Sequence, residues 1–99
     1  MSAPRAPARR ETVTVHVPPV EVQVLDAKVT IVEVLRYETP WTGPVYHVAC
    51  YVEWGGYRSQ VFHVDARDNE ELERKLKTEV AKMKLMIMSG CTTPFQHVG

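Results

Sequence analysis

Apolar and polar residues alternate along the first part of the chain. Valines alternate with polar neighbours over residues 13–17, and the same period of two resumes over residues 20–24, after Pro18 and Pro19. This period is typical of half-buried strands, and a proline pair marks a bend or a sheet edge because proline cannot donate to a strand ladder. The pattern therefore predicts two short strands, one on either side of the proline pair.

A further strand is predicted downstream. The apolar parity changes around residues 25–28, which indicates either a bulge within one long strand or a tight turn between two strands. Strand-forming residues then continue over residues 29–37. Residues 39–44 hold two prolines and a glycine, which predicts a loop that ends this strand.

Two alternating runs, residues 45–53 and 57–65, surround Trp54-Gly55-Gly56 and predict a β-hairpin. A two-residue turn would place Trp54 opposite Tyr57 and mix the apolar and polar faces. A three-residue turn with Gly56 as a bulge residue gathers the apolar side chains on one face, so burial favours this second register. That face then carries Tyr46, Val48, Cys50, Val52, Phe62 and Val64.

The period changes to that of a helix after residue 67. Asp68 followed by Glu71 resembles a capping box that begins the helix, and Gly90 is a natural stop. The core-facing positions recur at spacings of three and four: Leu72, Leu76, Val80, Met83 and Ile87. Acidic and basic residues four apart predict exposed ion pairs: Glu70 with Arg74, Glu71 with Lys75, and Glu73 with Lys77.

The apolar pattern of the helix broadens towards its C-terminal end, beyond what one sheet face covers. Methionines there fill core gaps in part, and burying the remainder requires a second chain or a returning tail. We therefore expect self-association, as a homodimer, through the apolar end of the helix. The residues of this expected surface are Met83, Leu85, Met86, Ile87 and Met88.

The elements together predict an α+β fold. An antiparallel sheet of four to five strands carries one C-terminal helix packed on one face. The length of 99 residues fits one domain, which we place over residues 11–90. Residues 1–10 are predicted to be a flexible basic tail, and residues 91–99 a loose C-terminal extension.

The charge distribution bears on possible partners. The chain holds twelve basic and twelve acidic residues, but Arg5, Arg9 and Arg10 lie in the tail, which has no acid. Residues 11–99 therefore hold nine basic and twelve acidic side chains, a net charge of about −3. A folded domain that binds phosphates normally carries a basic stripe on its surface, whereas residues 11–99 are acidic overall.

Candidate chemistry on the strands is sparse. The favoured hairpin register places His47 opposite His63 on the face away from the core, but no third metal ligand is placed by spacing, so no metal site is predicted. Cys50 belongs to the apolar face and is expected to be buried and inert, while Cys91 and His97 fall in the C-terminal extension. The sequence also lacks a phosphate-binding glycine loop and a nucleophile elbow, so neither an enzyme nor a cofactor is predicted.

Exposed aromatic residues suggest an alternative function, single-stranded nucleic-acid binding. Tyrosines on an open sheet face, with Trp41 or Trp54 beside them, can stack unpaired bases, and arginines can contact the phosphates. The candidate residues are Tyr51, Tyr57, Arg36, Arg58, Arg5, Arg9 and Arg10. Against this hypothesis, the body is acidic and tyrosine is an ordinary strand residue.

The leading functional prediction is a non-catalytic binding or assembly module. We expect it in the cytoplasm, because two distant cysteines do not form a disulfide framework and no apolar run reaches the roughly 18 residues of a membrane span. No membrane partner and no small-molecule substrate are predicted.

Overall fold

The computed structural model describes residues 11–15, by their backbone, and residues 19–98. These residues form the predicted α+β fold, an antiparallel sheet with one helix on one face. The elements are β1 (Glu11–Val15), β2 (Val20–Val24), β3 (Ala27–Thr39), β4 (Gly43–Trp54), β5 (Tyr57–Arg58), β6 (Phe62–Ala66), α1 (Asn69–Met88) and β7 (Gln96–His97).

The sheet is built around one long hairpin, β3–β4. Both outer strands are interrupted: β1 and β2 follow each other along β3, while β5 and β6 follow each other along β4. Along β3, the last pair of β1 is Val15 with Val34, and the first pair of β2 is Val20 with Ile31. The described residues therefore form seven strands rather than four or five, because each outer strand counts twice and β7 adds to β5.

The change of apolar parity around residues 25–28 is caused by a tight turn. Val24 pairs with Ala27, so Leu25 and Asp26 form a two-residue turn between β2 and β3. Leu25 has a φ of 58°, in the left-handed region that residues other than glycine adopt only at an energetic cost.

The sequence predicted the wrong register for the hairpin between β4 and β5. Trp54 pairs with Tyr57 across a two-residue turn in which both glycines have positive φ. The extra residue lies instead between β5 and β6, and beyond it Cys50 pairs with Phe62. Ser59 accommodates this irregularity, since its hydroxyl accepts a hydrogen bond from the Val52 N–H (2.9 Å) and its own N–H donates to the Val52 carbonyl (2.8 Å).

The predicted helix start is confirmed. The Asp68 carboxylate accepts a hydrogen bond from the Glu71 N–H (2.8 Å), and the Glu71 carboxylate accepts one from the Arg67 N–H (2.7 Å). Of the predicted side-chain ion pairs, Glu71 and Lys75 lie 3.3 Å apart.

The predicted stop is also confirmed. Gly90 has a φ of 87°; its N–H donates to the Ile87 carbonyl (3.0 Å), and the Cys91 N–H donates to that of Met86 (2.8 Å). This pair of bonds is a Schellman motif, which satisfies carbonyls at the helix end.

The core lies between α1 and the facing side of the sheet. Leu76, Val80 and Met83 pack from the helix against strand residues that include Val29 and Val52, all less than 5% exposed. Val24, Ala27, Cys50 and Val64 complete the buried cluster. The apolar face inferred for β4 and β6 is therefore the core face.

The C-terminal segment differs from the expected loose extension. Phe95 packs against the core, β7 pairs with β5, and the Val98 N–H donates to the Gly56 carbonyl (2.8 Å). One aromatic anchor is too short a signal to show as periodicity, which is why the sequence pattern missed it.

Candidate self-association surface

The residues expected to form the self-association surface divide into two groups. Met83 is 4% exposed within the core, and Ile87 is half-buried against the same core. Including these two in an association surface was wrong, because they point towards this chain's own sheet. Leu85 and Met88, by contrast, are 65% and 71% exposed.

Helical geometry explains this division. At 100° per residue, Leu85 lies about 200° and Met88 about 140° round the helix from the buried Met83. Both therefore lie on the outer side of α1, about one turn apart, and we call this pair the exposed helix end.

Met86 occupies the flank between the core and the outer side. It is 38% exposed and lines an apolar cavity of about 360 Å³ together with Met83, Phe62 and Phe95. The returning C-terminal segment therefore lies beside Met86 but leaves the exposed helix end uncovered.

A polar cluster fixes the last turns of α1 to the β2–β3 turn. Lys84 donates to one oxygen of Asp26 (2.7 Å), and the Trp54 indole N–H donates to the other (3.2 Å). The Lys84 ammonium also lies 5.3 Å from the centre of the Trp54 ring. The bonds from Lys84 and Trp54 lower the pKa of Asp26, so the carboxylate stays ionised and holds the helix end in place.

The two thiols of the chain differ in accessibility. Cys50 is fully buried, as expected, and burial raises the pKa of its thiol to about 11. Cys91 is an exposed free thiol. It directly follows the glycine that ends the helix, three residues beyond Met88, and so lies close to the exposed helix end.

The candidate nucleic-acid residues do not share one surface. Tyr51 lies on the sheet face away from the helix, whereas Tyr57, opposite Trp54, packs against the core. The expectation that both tyrosines line the open face is wrong, because the two-residue turn places Tyr57 on the other side. Arg5, Arg9 and Arg10 lie outside the described residues.

The two candidate arginines on the strands are already engaged. Arg58 lies over the Tyr51 ring, 5.0 Å from its centre, and donates two hydrogen bonds to Glu53, at 3.0 and 2.8 Å. Arg36 donates to Glu38 (2.9 Å). These contacts balance the arginine charges and cover one face of the ring that a base would stack on.

The two histidines lie on the open face as expected, but not opposite each other. His47 pairs with Asp65 and His63 with Ala49, a register two residues away from the predicted one. The imidazole rings nevertheless stack diagonally, with centroids 4.8 Å apart. Across the described part of the chain, no group of three or more His, Cys, Asp or Glu side chains is placed to hold a metal ion.

Sequence reasoning missed a groove of about 500 Å³ between the start of α1 and the far half of β3–β4. Ile31, Val34, Tyr46 and Leu72 contribute to its lining. A strand of 13 residues spans about 43 Å and a helix of 20 residues about 30 Å, so one helix leaves part of this hairpin uncovered. Element lengths were the signal that could have revealed it.

Comparisons with known proteins give no further assignment. No protein-family profile, no curated protein sequence and no solved structure matches this chain. Within residues 11–15 and 19–98, no helix has the length and apolar character needed to cross a membrane.

Proposed function

We propose that the protein is a non-catalytic assembly module that forms a homodimer through the exposed helix end. The observation that carries this proposal is the exposure of Leu85 and Met88, at 65% and 71%, on the outer side of the helix. Contiguous exposed apolar surface is what marks an association site, and Leu85 and Met88 adjoin each other on a rigid helix.

The proposal requires a two-fold arrangement in which the same surface of each copy meets the other. Ala81 precedes Leu85 by one turn and is exposed, so its small side chain permits close approach of a second helix. Lys77 and Lys84 lie along the same side of α1 and flank the contact with polar groups.

The size of the apolar surface predicts a weak dimer. Burying the exposed part of one such side chain contributes about 1 to 2 kcal/mol, and symmetry doubles the number of side chains buried. Association costs at least about 4 kcal/mol in lost freedom of motion. At the favourable end of these ranges the balance is about −4 kcal/mol, so we expect a dissociation constant of about 1 mM.

Sedimentation equilibrium from about 50 µM to 2 mM chain tests the proposal. The intact protein is expected to shift from monomer towards dimer, and Leu85→Lys or Met88→Lys to weaken the dimer at least about tenfold, because a buried unpaired ammonium is costly. Trp41→Lys is the matched control. Trp41 is 86% exposed at the opposite end of the β3–β4 hairpin, and its replacement should leave the equilibrium unchanged.

A monomer at every concentration overturns the proposal, and so does a dimer that Leu85→Lys and Met88→Lys leave intact. The same samples, titrated with labelled single-stranded oligonucleotide at low salt, address the competing class. Salt-sensitive binding that disappears when residues 1–10 are removed would favour a nucleic-acid accessory protein instead.

A further inference from the structure

The groove between the start of α1 and the far half of β3–β4 is an apolar surface that the dimer does not use. Ile31, Val34, Tyr46 and Leu72 contribute to its walls, and Asp68 lies at its rim. Its volume of about 500 Å³ is in the range of sites that hold a ligand or a short segment of chain. No element of the described residues fills it.

The start of α1 makes the rim of the groove acidic. Residues 67–71 hold one arginine and three carboxylates, which gives a net charge of about −2. One oxygen of Asp68 accepts the hydrogen bond from the Glu71 N–H that caps the helix (2.8 Å), and the other accepts none from the described residues. The groove therefore favours an occupant that combines apolar groups with a basic side chain.

The basic tail, residues 1–10, has this composition. It contains Pro4 and Pro7, with Arg5 between them, and it has no acid. Residues three apart in a polyproline II helix lie on the same side, so the two prolines form one apolar ridge. Segments with this proline spacing dock in aromatic-lined grooves, because their preformed extended conformation lowers the entropic cost of binding.

The basic tail is long enough to reach the groove from β1. Glu11 pairs with Glu38 on β3, and Tyr46 pairs with Arg36 on the other side of β3. Tyr46 therefore lies two strands across and two residues along from Glu11, at about 12 Å. A polyproline II segment advances about 3.1 Å per residue, so the chain from Glu11 to Pro7 covers this distance.

We propose that the basic tail docks in the groove of its own chain as a polyproline II segment. Pro4 and Pro7 lie against the Tyr46 wall, and Arg5 pairs with the free oxygen of Asp68. Because the tail is tethered, it meets the groove at an effective concentration on the order of 1 mM, so even an intrinsic dissociation constant of about 1 mM keeps it docked about half of the time. While it is docked, the groove is closed to any other proline-containing segment.

The test is NMR of the full chain with a nitroxide on the basic tail, which broadens the signals of nearby backbone amides. Ser2→Cys carries the nitroxide, and Cys91→Ser removes the exposed thiol. Cys50 does not react, because it is buried and the pKa of its thiol is raised to about 11. A concentration of about 50 µM keeps the helix-end dimer scarce.

A docked tail is expected to broaden the amides of Asn69 and Leu72 at the groove, and to leave that of Leu85 at the other end of α1 unchanged. In a mixture of nitroxide-bearing chain and isotope-labelled chain without nitroxide, no broadening at the groove is expected. Broadening centred on residues 39–43, beside the start of β1, would overturn the proposal. Broadening at the groove in the mixture would do so too, because the occupant would then be the tail of a second copy.

Two pairs of variants test the contacts. Arg5→Gln should lower the ratio of docked to free tail about two- to fivefold, the effect of losing one exposed ion pair. Arg10→Gln is the matched control with the same change of charge, and it should leave the ratio unchanged because Arg10 adjoins β1. Asp68→Ser should act like Arg5→Gln, since serine keeps the helix cap but removes the charge. Equal effects of Arg5→Gln and Arg10→Gln, or no effect of Asp68→Ser, would overturn the proposal.

Discussion

At the scale of single residues, the turn between β2 and β3 contains both a strained backbone and a stabilising carboxylate. Leu25 adopts a left-handed conformation with its side chain 55% exposed, so little burial compensates for the strain. Asp26 beside it ties the helix end to Trp54 and Lys84. The sequence could not place this turn, because leucine is not a turn residue and the parity change also fitted a bulge.

Leu25→Gly is expected to stabilise the protein. Glycine adopts a φ of 58° without steric cost, which outweighs its greater freedom in the unfolded chain, so the free energy of unfolding should rise by about 0.5 to 1 kcal/mol. Thermal unfolding measures the gain. Leu25→Ala is the control, and an equal gain from alanine would show that relief of backbone strain is not the cause.

Asp26→Asn is expected to destabilise the protein in a pH-dependent way. Hydrogen bonds from Lys84 and Trp54 lower the pKa of Asp26 below its ordinary value of 3.8. The carboxylate therefore contributes stability above that value, and the contribution is lost as the pH falls through the lowered pKa. The melting temperatures of parent and variant should differ at pH 7 and converge towards pH 2. A difference that stays constant over this range would contradict the assignment.

At the scale of elements, the sequence predicted which side chains share a face better than it predicted which residues pair. Alternation within each strand, together with burial, places Cys50 and Val64 on the core side wherever the extra residue between them lies. The register depends on where the extra residue sits. That position is set by the hydrogen bonds of Ser59 and not by any periodic signal.

Ser59→Ala therefore tests the origin of the register change. It removes the acceptor for the N–H of the buried Val52, which should lower the free energy of unfolding by about 1 to 2 kcal/mol. Ser89→Ala is the control, since the Ser89 hydroxyl bonds an exposed carbonyl and its loss should cost less than about 0.5 kcal/mol. Urea unfolding of both variants gives the comparison. Equal losses would remove the special role of Ser59.

At the scale of the whole molecule, the predicted layout of one helix on an antiparallel sheet is confirmed, and the candidate surfaces are rearranged. The sequence assigned Met83 and Ile87 both to the core face and to the association surface, because a broad apolar stripe does not reveal where contact with the sheet ends. It treated Tyr51 and Tyr57 as one surface because the assumed register placed them together. The returning segment with Phe95 depends on one side chain and a tertiary contact, which no local pattern encodes.

The most direct test of the account is whether two copies meet at the exposed helix end in solution. Cys91, three residues beyond Met88, is an exposed thiol, whereas Cys50 is buried with its pKa raised to about 11, so a short thiol-specific bismaleimide reports on Cys91 alone. A covalent dimer should form in proportion to dimer population, vanish on dilution, and be strongly reduced in Leu85→Lys but not in Trp41→Lys. Absence of cross-linked dimer at about 500 µM chain, or equal yield in Leu85→Lys, would contradict the account.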